Sequence, residues 1–410
     1  MTWASTSPAV HGSVANGFEG VAEAFDRNFA ERREVGAAFA AYLDGGLVVD
    51  LWGGLADRAR RVAWQRDTLV GVFSGTKGLV ATCLLLLLER GLLRLDIPVC
   101  RYWPEFAANG KEQILVGDVV CHQAGLPGLV APVSAEEATD DVRMAELLAG
   151  QRPMIPRGAG PVYHALTFGW LCGELVRRVD GRGVGQFLRA EIADPLGLEV
   201  WIGLPEREEH RVAVLERDQA FERQQERSVG ARAVDPVAWS IWSNPPRFSN
   251  DRFAANGRRW RAAEIPATNG IATARSLARL YGCLARGGEI DGVRLLSAAT
   301  VEAACRCRAR GHDPYLGTAV AFATGFEVQT SEMAFGPDAD AYGHTGTGGS
   351  VHGAWPSLRT GFSYAPSLLS SFAGADPRAE ALLVALHDAA SNFHTPAPAS
   401  RTPQAGERVI

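Results

Sequence analysis

A chain of 410 residues, 47% hydrophobic and 21% charged, exceeds a typical single domain and carries ample apolar material for a large core. Its net charge of −5 leaves no basic footprint, which argues against nucleic acid as a partner. Seven cysteines, an odd number without a C-x-x-C pair, suit neither a disulfide framework nor a zinc site, and no H-E-x-x-H occurs; no metal or cofactor is expected.

In chain order, Met1 to Thr6 show no basic n-region and no apolar h-region, so the expected location is the cytoplasm. Phe18, Val21, Ala22, Phe25 and Phe29 fall on one face of an amphipathic helix. Residues 36–42 and 47–52 read as strands joined by Asp44-Gly45-Gly46, a hairpin. Residues 67–73 form a further extended piece that leads into Ser74-Gly75-Thr76-Lys77. The most apolar helix of the chain follows at 79–88, with Gly91 as its stop. That run falls well short of the roughly 20 residues a membrane span needs, so it reads as a buried core helix and no membrane partner is expected.

Beyond it, Tyr102-Trp103-Pro104-Glu105-Phe106 is an aromatic loop, and 116–121 a short helix ending at His122-Gln123-Ala124-Gly125-Leu126-Pro127. Helices are expected at 141–149, 167–179 and 184–192, with a Pro/Gly-rich connector at 152–161 delivering Tyr163-His164. His122 reads as structural, closing its helix. Residues 206–265 are charged, Trp-dotted and irregular; Trp242 and Trp260 read as packing residues within that segment, which itself is expected to shape the pocket. Helices return at 274–286 and 297–304, strands at 317–328 and 361–368, and a last helix at 379–390, with a mobile Pro/Ala-rich tail from Thr395. The pattern predicts an α/β (α+β) chain whose ends, 1–73 and 270–410, build one domain around a sheet, with a mostly helical domain at 74–269 and the active site in the cleft between them.

Three stretches are candidates for one site: Ser74-x-x-Lys77, Tyr163, and His344-Thr345-Gly346-Thr347. Residues three apart on a helix share a face, so the Ser74 hydroxyl and the Lys77 ammonium can point to one place. In this order and spacing the chain resembles the serine β-lactamase and penicillin-binding-protein superfamily, in the class C-like branch of family VIII carboxylesterases. The resemblance runs from about residue 17 to 390. It implies an antiparallel sheet flanked by helices beside a helical domain, with Ser74 as nucleophile and Lys77 and Tyr163 as the general-base pair. It further implies an oxyanion hole from the backbone N–H groups of Ser74 and Thr347, the latter on an edge strand.

Physical chemistry agrees with those roles. A serine hydroxyl needs an adjacent base, and a lysine becomes one when burial favours its neutral form. The helix N-terminus favours negative charge developing at Ser74. His344, Thr345 and Gly346 are expected to line the substrate site, and Trp355 to wall the acyl pocket. Two departures from the β-lactamase pattern bear on substrate: Ala165 stands where Tyr-x-Asn is usual, and His344 where K-T-G has lysine. Both argue against efficient β-lactam hydrolysis. No G-x-S-x-G elbow surrounds Ser74, which excludes an α/β-hydrolase. The expected activity is that of a serine carboxylesterase on small-molecule esters with short to medium acyl chains. The alternatives are an acyltransferase using the same acyl-enzyme, or weak β-lactamase or D-aminopeptidase activity.

Overall fold

The computed structural model describes residues 10–232, 235–246, 254–372 and 375–394. The tail from Thr395 and the first six residues, on which two of the expectations rest, lie outside the described residues. The central sheet draws β1 (Val10–Val14), β2 (Gly36–Leu43) and β3 (Gly46–Asp57) from the start of the chain. From its last part come β4 (Ala309–Asp313), β5 (Thr318–Phe322), β6 (Glu327–Val328), β7 (Tyr342–Gly346), β8 (Ser350–Trp355) and β9 (Thr360–Pro366). Their order is β1-β3-β2-β9-β8-β7-β6-β5-β4, and each neighbouring pair is antiparallel. The two chain ends meet where β2 pairs with β9, Leu43 opposite Thr360 and Ala37 opposite Pro366.

Helices α1 (Glu19–Glu31), α2 (Thr76–Glu89), α3 (Thr167–Asp180), α4 (Ala274–Ala285) and α5 (Pro377–His394) position the rest. The apolar stripe of α1 packs with α5 on one face of the sheet, burying Phe25, Leu51, Phe362 and Leu386 in one cluster. On the other face α4 lies against β9 so closely that a Cβ at Gly361 would stand 2.0 Å from Gly282 N. Only a glycine at that strand position permits the contact. A helix apolar all round belongs in the interior, and every residue of α2 from Thr76 to Leu87 is buried. Each fully buried leucine there contributes about 1.5–3 kcal/mol. Gly91 follows at φ 67°, the left-handed stop the sequence predicts.

Of the strands β1 to β9, three have no counterpart in the expected elements, β1, β4 and β8. The sequences of β1 and β4, Val-His-Gly-Ser-Val and Ala-Arg-Gly-His-Asp, lack clean apolar alternation, and each sits at an edge of the sheet, whereas β8 is buried along its whole length. Residues 317–328 hold two strands, β5 and β6, joined by a turn at Gly325. The segment 206–265 contains helices at Gln219–Arg232, Pro236–Trp242 and Arg258–Ala262. All seven cysteines are free thiols, and no described helix is long and apolar enough to cross a membrane.

Candidate active site

Ser74 stands at a strained corner. A short strand, Val70–Gly71, pairs with Ile271–Ala272, and Val72 N donates to Gly270 O at 3.0 Å. Phe73 then adopts φ 46°, left-handed backbone that costs a non-glycine residue about 1–3 kcal/mol. Its surroundings hold it there: the ring is buried, and its carbonyl accepts Thr76 Oγ1 at 2.5 Å and Thr76 N at 2.9 Å. The corner turns the chain into α2, where Lys77 N donates to Ser74 O at 2.9 Å. The expected shared face follows: Lys77 Nζ lies 3.2 Å from Ser74 Oγ.

Lys77 has no exposed surface. Its nitrogen is also 2.9 Å from Ala165 O and 2.9 Å from Ala267 O, and 4.8 Å from the centre of the Tyr163 ring. Thus Ala165, notable in sequence for the asparagine amide it lacks, serves Lys77 through its backbone. Ala267 carries no sequence signal, since any residue supplies a carbonyl.

Tyr163 is held by its backbone. Its N–H donates to Asp313 Oδ2 at 2.6 Å, and Asp313, the last residue of β4, is fully buried. Around it, Val162 N donates to His122 O at 3.0 Å, and His164 N to His122 Nδ1 at 3.1 Å. His164 accepts Leu126 N on Nε2 at 3.2 Å, so its proton sits on Nδ1, 2.6 Å from Val162 O. His122, at φ 63°, therefore does more than close a helix; it braces the Tyr163 loop, its ring 4.9 Å from the tyrosine ring. Burial, then the neighbouring His164 and a protonated Lys77, holds His122 well below the usual imidazole range, and burial with a protonated Lys77 pushes His164 down to about 4. Both are neutral supports.

The third stretch divides. Thr345, Gly346 and Thr347 line a cavity of about 340 Å³ together with Ser74, Tyr163 and Ala165. Thr347 is the first residue of the turn between β7 and β8 rather than a strand residue, and it lines the same cavity as Ser74. His344 does not line the cavity: it is 1% exposed, its Nδ1 is 2.7 Å from Thr345 O, and its ring centre is 6.2 Å from that of Tyr163. Burial and the Lys77 charge push it down to about 3, so it is a neutral prop beneath the strand.

Trp355 does not wall the cavity. Strand alternation turns Val351 and Trp355 toward α1 and α5, and the indole donates to Phe335 O at 2.7 Å with no exposure. It stands behind the cavity, while Phe335 itself is in the wall. Trp242, read as packing, instead lines the cavity with Leu316, Val320, Phe322 and Val328.

Sequence reading missed Glu327. It lines the cavity, and its Oε2 accepts both the amide and the hydroxyl of Thr345, each at 2.9 Å. Burial raises its carboxyl to about 6, against the lowering effect of the two Thr345 bonds and of Lys77.

Comparison with known proteins gives these features a family. The Beta-lactamase family profile matches residues 21–387. The chain is 40% identical to Esterase/beta-lactamase LipL of Mycobacterium tuberculosis over 367 residues, 87% of this chain and 82% of that protein. Among solved structures it resembles a penicillin-binding protein homolog from Caulobacter crescentus, with TM-score 0.84 and 38% identity, covering 93% of this chain and all of that one. It likewise resembles a family VIII carboxylesterase, with TM-score 0.85 and 35% identity over 93% of this chain and all of that one. This chain belongs to the beta-lactamase family.

Proposed function

We propose that the protein is a serine carboxylesterase that cleaves short to medium acyl esters through an acyl-enzyme on Ser74. The observation that carries this is the surrounding of Lys77 Nζ, 3.2 Å from Ser74 Oγ with two carbonyls at 2.9 Å. A neutral amine has two N–H donors and one lone pair. The carbonyls of Ala165 and Ala267 match the two donors, which leaves the lone pair for the Ser74 proton.

In this reading Ser74 Oγ bonds to the ester carbonyl carbon while its proton passes to Lys77. The carbonyl oxygen takes negative charge facing the Ser74 and Thr347 amides, at the positive end of α2. The bond to the alcohol then breaks, and the Tyr163 phenol protonates the departing oxygen while recovering a proton from Lys77. Water repeats the sequence on the acyl-enzyme, releasing the acid and restoring Ser74. The apolar wall of Leu316, Val320, Phe322 and Val328 supports an acyl chain as the occupant. Names of relatives support ester chemistry, LipL as an esterase/beta-lactamase and Esterase EstB of Burkholderia gladioli, 31% identical over 218 residues. Turnover of p-nitrophenyl butyrate by the protein and by Ser74→Ala tests the reading: activity lost in the variant supports it, and equal activity in both overturns it.

A further inference from the structure

The charge of the cavity wall says what else a substrate carries. Among the described residues that line it, two are charged, Glu327 and Glu332, and both are carboxylates. Lys77 is not in the wall; it has no exposed surface and is enclosed by Ser74 and the two carbonyls.

Glu327 is the deeper of the pair, with 21% of its side chain exposed. Its two oxygens differ. Oε2 takes both bonds from Thr345, whereas Oε1 has a 3.5 Å approach from His344 Nδ1. That nitrogen's proton is directed to Thr345 O at 2.7 Å, and the ring is neutral. One carboxylate oxygen is thus left without a strong donor at an apolar cavity, where a charge interacts more strongly than in water. Glu332 is exposed at the rim, where it attracts cations toward the opening.

Resting on the ester-hydrolase reading above, we propose that this site selects esters bearing an ammonium group and recognises that group through Glu327. The same wall disfavours esters that carry a carboxylate. The groups facing Glu327 leave room for a cation: Thr345 is a neutral donor, His344 a neutral ring, and Tyr281 of α4 a phenol that burial keeps protonated. Lys77 has the smallest effect of the groups named as acting on it, and it carries a charge only when protonated. With its carboxyl raised to about 6, Glu327 is ionised at neutral and alkaline pH and loses its charge below.

The test uses pairs of equal shape and unequal charge. Butyrylcholine against 3,3-dimethylbutyl butyrate places the charge on the alcohol; methyl 4-(trimethylammonio)butyrate against methyl 5,5-dimethylhexanoate places it on the acyl chain. At about pH 8 the proposal expects kcat/KM for the charged member of at least one pair to exceed its neutral partner about tenfold or more. That ratio should fall toward one as pH drops through about 6, and in Glu327→Gln, which keeps an oxygen for Thr345. A ratio near one in both pairs with the wild type overturns the proposal, as does a cation preference that survives in Glu327→Gln. Should that variant fail to fold, the pH dependence of the wild-type ratio decides, and a preference unchanged between about pH 8 and pH 5 overturns it. If the wild type turns over none of the four esters, the ester-hydrolase reading itself has failed; Ser74-dependent turnover of the neutral esters without a charge preference removes this inference alone.

Discussion

The amide of Tyr163 donates to the carboxylate of Asp313 at 2.6 Å, joining residues 150 positions apart. Asp313 also accepts the amides of Tyr315 at 2.7 Å and Leu316 at 3.1 Å, so one buried side chain ties the Tyr163 loop to the wall of the cavity. Deleting it leaves the buried Tyr163 amide unpaired at about 1–3 kcal/mol and frees the ring that lies against Lys77. Asp313→Ala is expected to lower Tm by several degrees and kcat by on the order of 100-fold, with KM changed less. Asp313→Asn, which keeps an acceptor, should recover most of both. An Asp313→Ala variant with wild-type kcat would show that the bond does not position Tyr163.

Gly75, inside the S-x-x-K motif, is required by packing. A Cβ there would lie 2.4 Å from Cδ2 and 2.8 Å from Nε2 of His352, and 3.0 Å from Val72 O. His352 is fully buried with Nδ1 2.7 Å from Ser363 Oγ, so its ring cannot step aside. Gly75→Ala should displace Ser74 and reduce kcat about 10- to 100-fold. Adding His352→Ala should restore part of the loss, because it removes the ring that the methyl strikes. Steady-state kinetics of both single variants and the double variant measure the coupling; strict additivity would contradict the contact.

Four buried histidines set the acid limit of the fold, and His122 is held well below the usual imidazole range. His344 and His352 are pushed down to about 3 and His164 to about 4, each mainly by burial. The unfolded chain protonates these rings near their ordinary 6.5, whereas the folded one does so only near 3 to 4. Stability is therefore whole above about 6.5 and falls as pH drops below it, by on the order of 2 kcal/mol per ring at about pH 5. Carboxyls raised by burial work the other way, since the folded state binds their protons more readily: Glu327 and Asp340 to about 6, and Glu34, Asp141 and Glu264 upward. The four rings, whose ordinary 6.5 lies inside the range between about pH 8 and pH 5, dominate there. Thermal melts between about pH 8 and pH 5 should show Tm falling steeply on the acid side; a flat or rising Tm would contradict the neutral assignment.

Trp242 lines the cavity together with the sheet residues Val320 and Phe322 and packs on the same cluster, so its removal is expected to lengthen the space an acyl chain can fill. Trp242→Ala should shift the ratio of kcat/KM for p-nitrophenyl octanoate over the butyrate upward by about tenfold, a few methylenes' worth of burial. An unchanged ratio would place the acyl chain elsewhere.

What was legible in the sequence was local. Ser74 and Lys77 announce themselves because one helical turn brings them together and the apolar run behind them demands an interior helix. Tyr163 was found through resemblance and order, not through its own surroundings. The parts that hold these residues in place were not legible. Asp313 ends an edge strand with no apolar rhythm, Ala267 acts through a carbonyl, and Glu327 reaches Thr345 from a strand of two residues. The sequence puts Trp355 at the acyl pocket, but a residue near the motif along the chain can face either side of a sheet, and strand parity turns it to α1 and α5. Phe73, whose strained φ aims Ser74, carries no sequence sign that a phenylalanine must sit there.

The central claim is a covalent acyl group on Ser74. The direct measurement is mass spectrometry of the protein quenched during turnover of p-nitrophenyl butyrate, followed by peptide mapping. A butyryl group is expected on the peptide containing Ser74 and is expected to be absent in Ser74→Ala. Turnover of the ester with an adduct on another residue, or with none on Ser74 in a variant slowed by Tyr163→Phe, would contradict it.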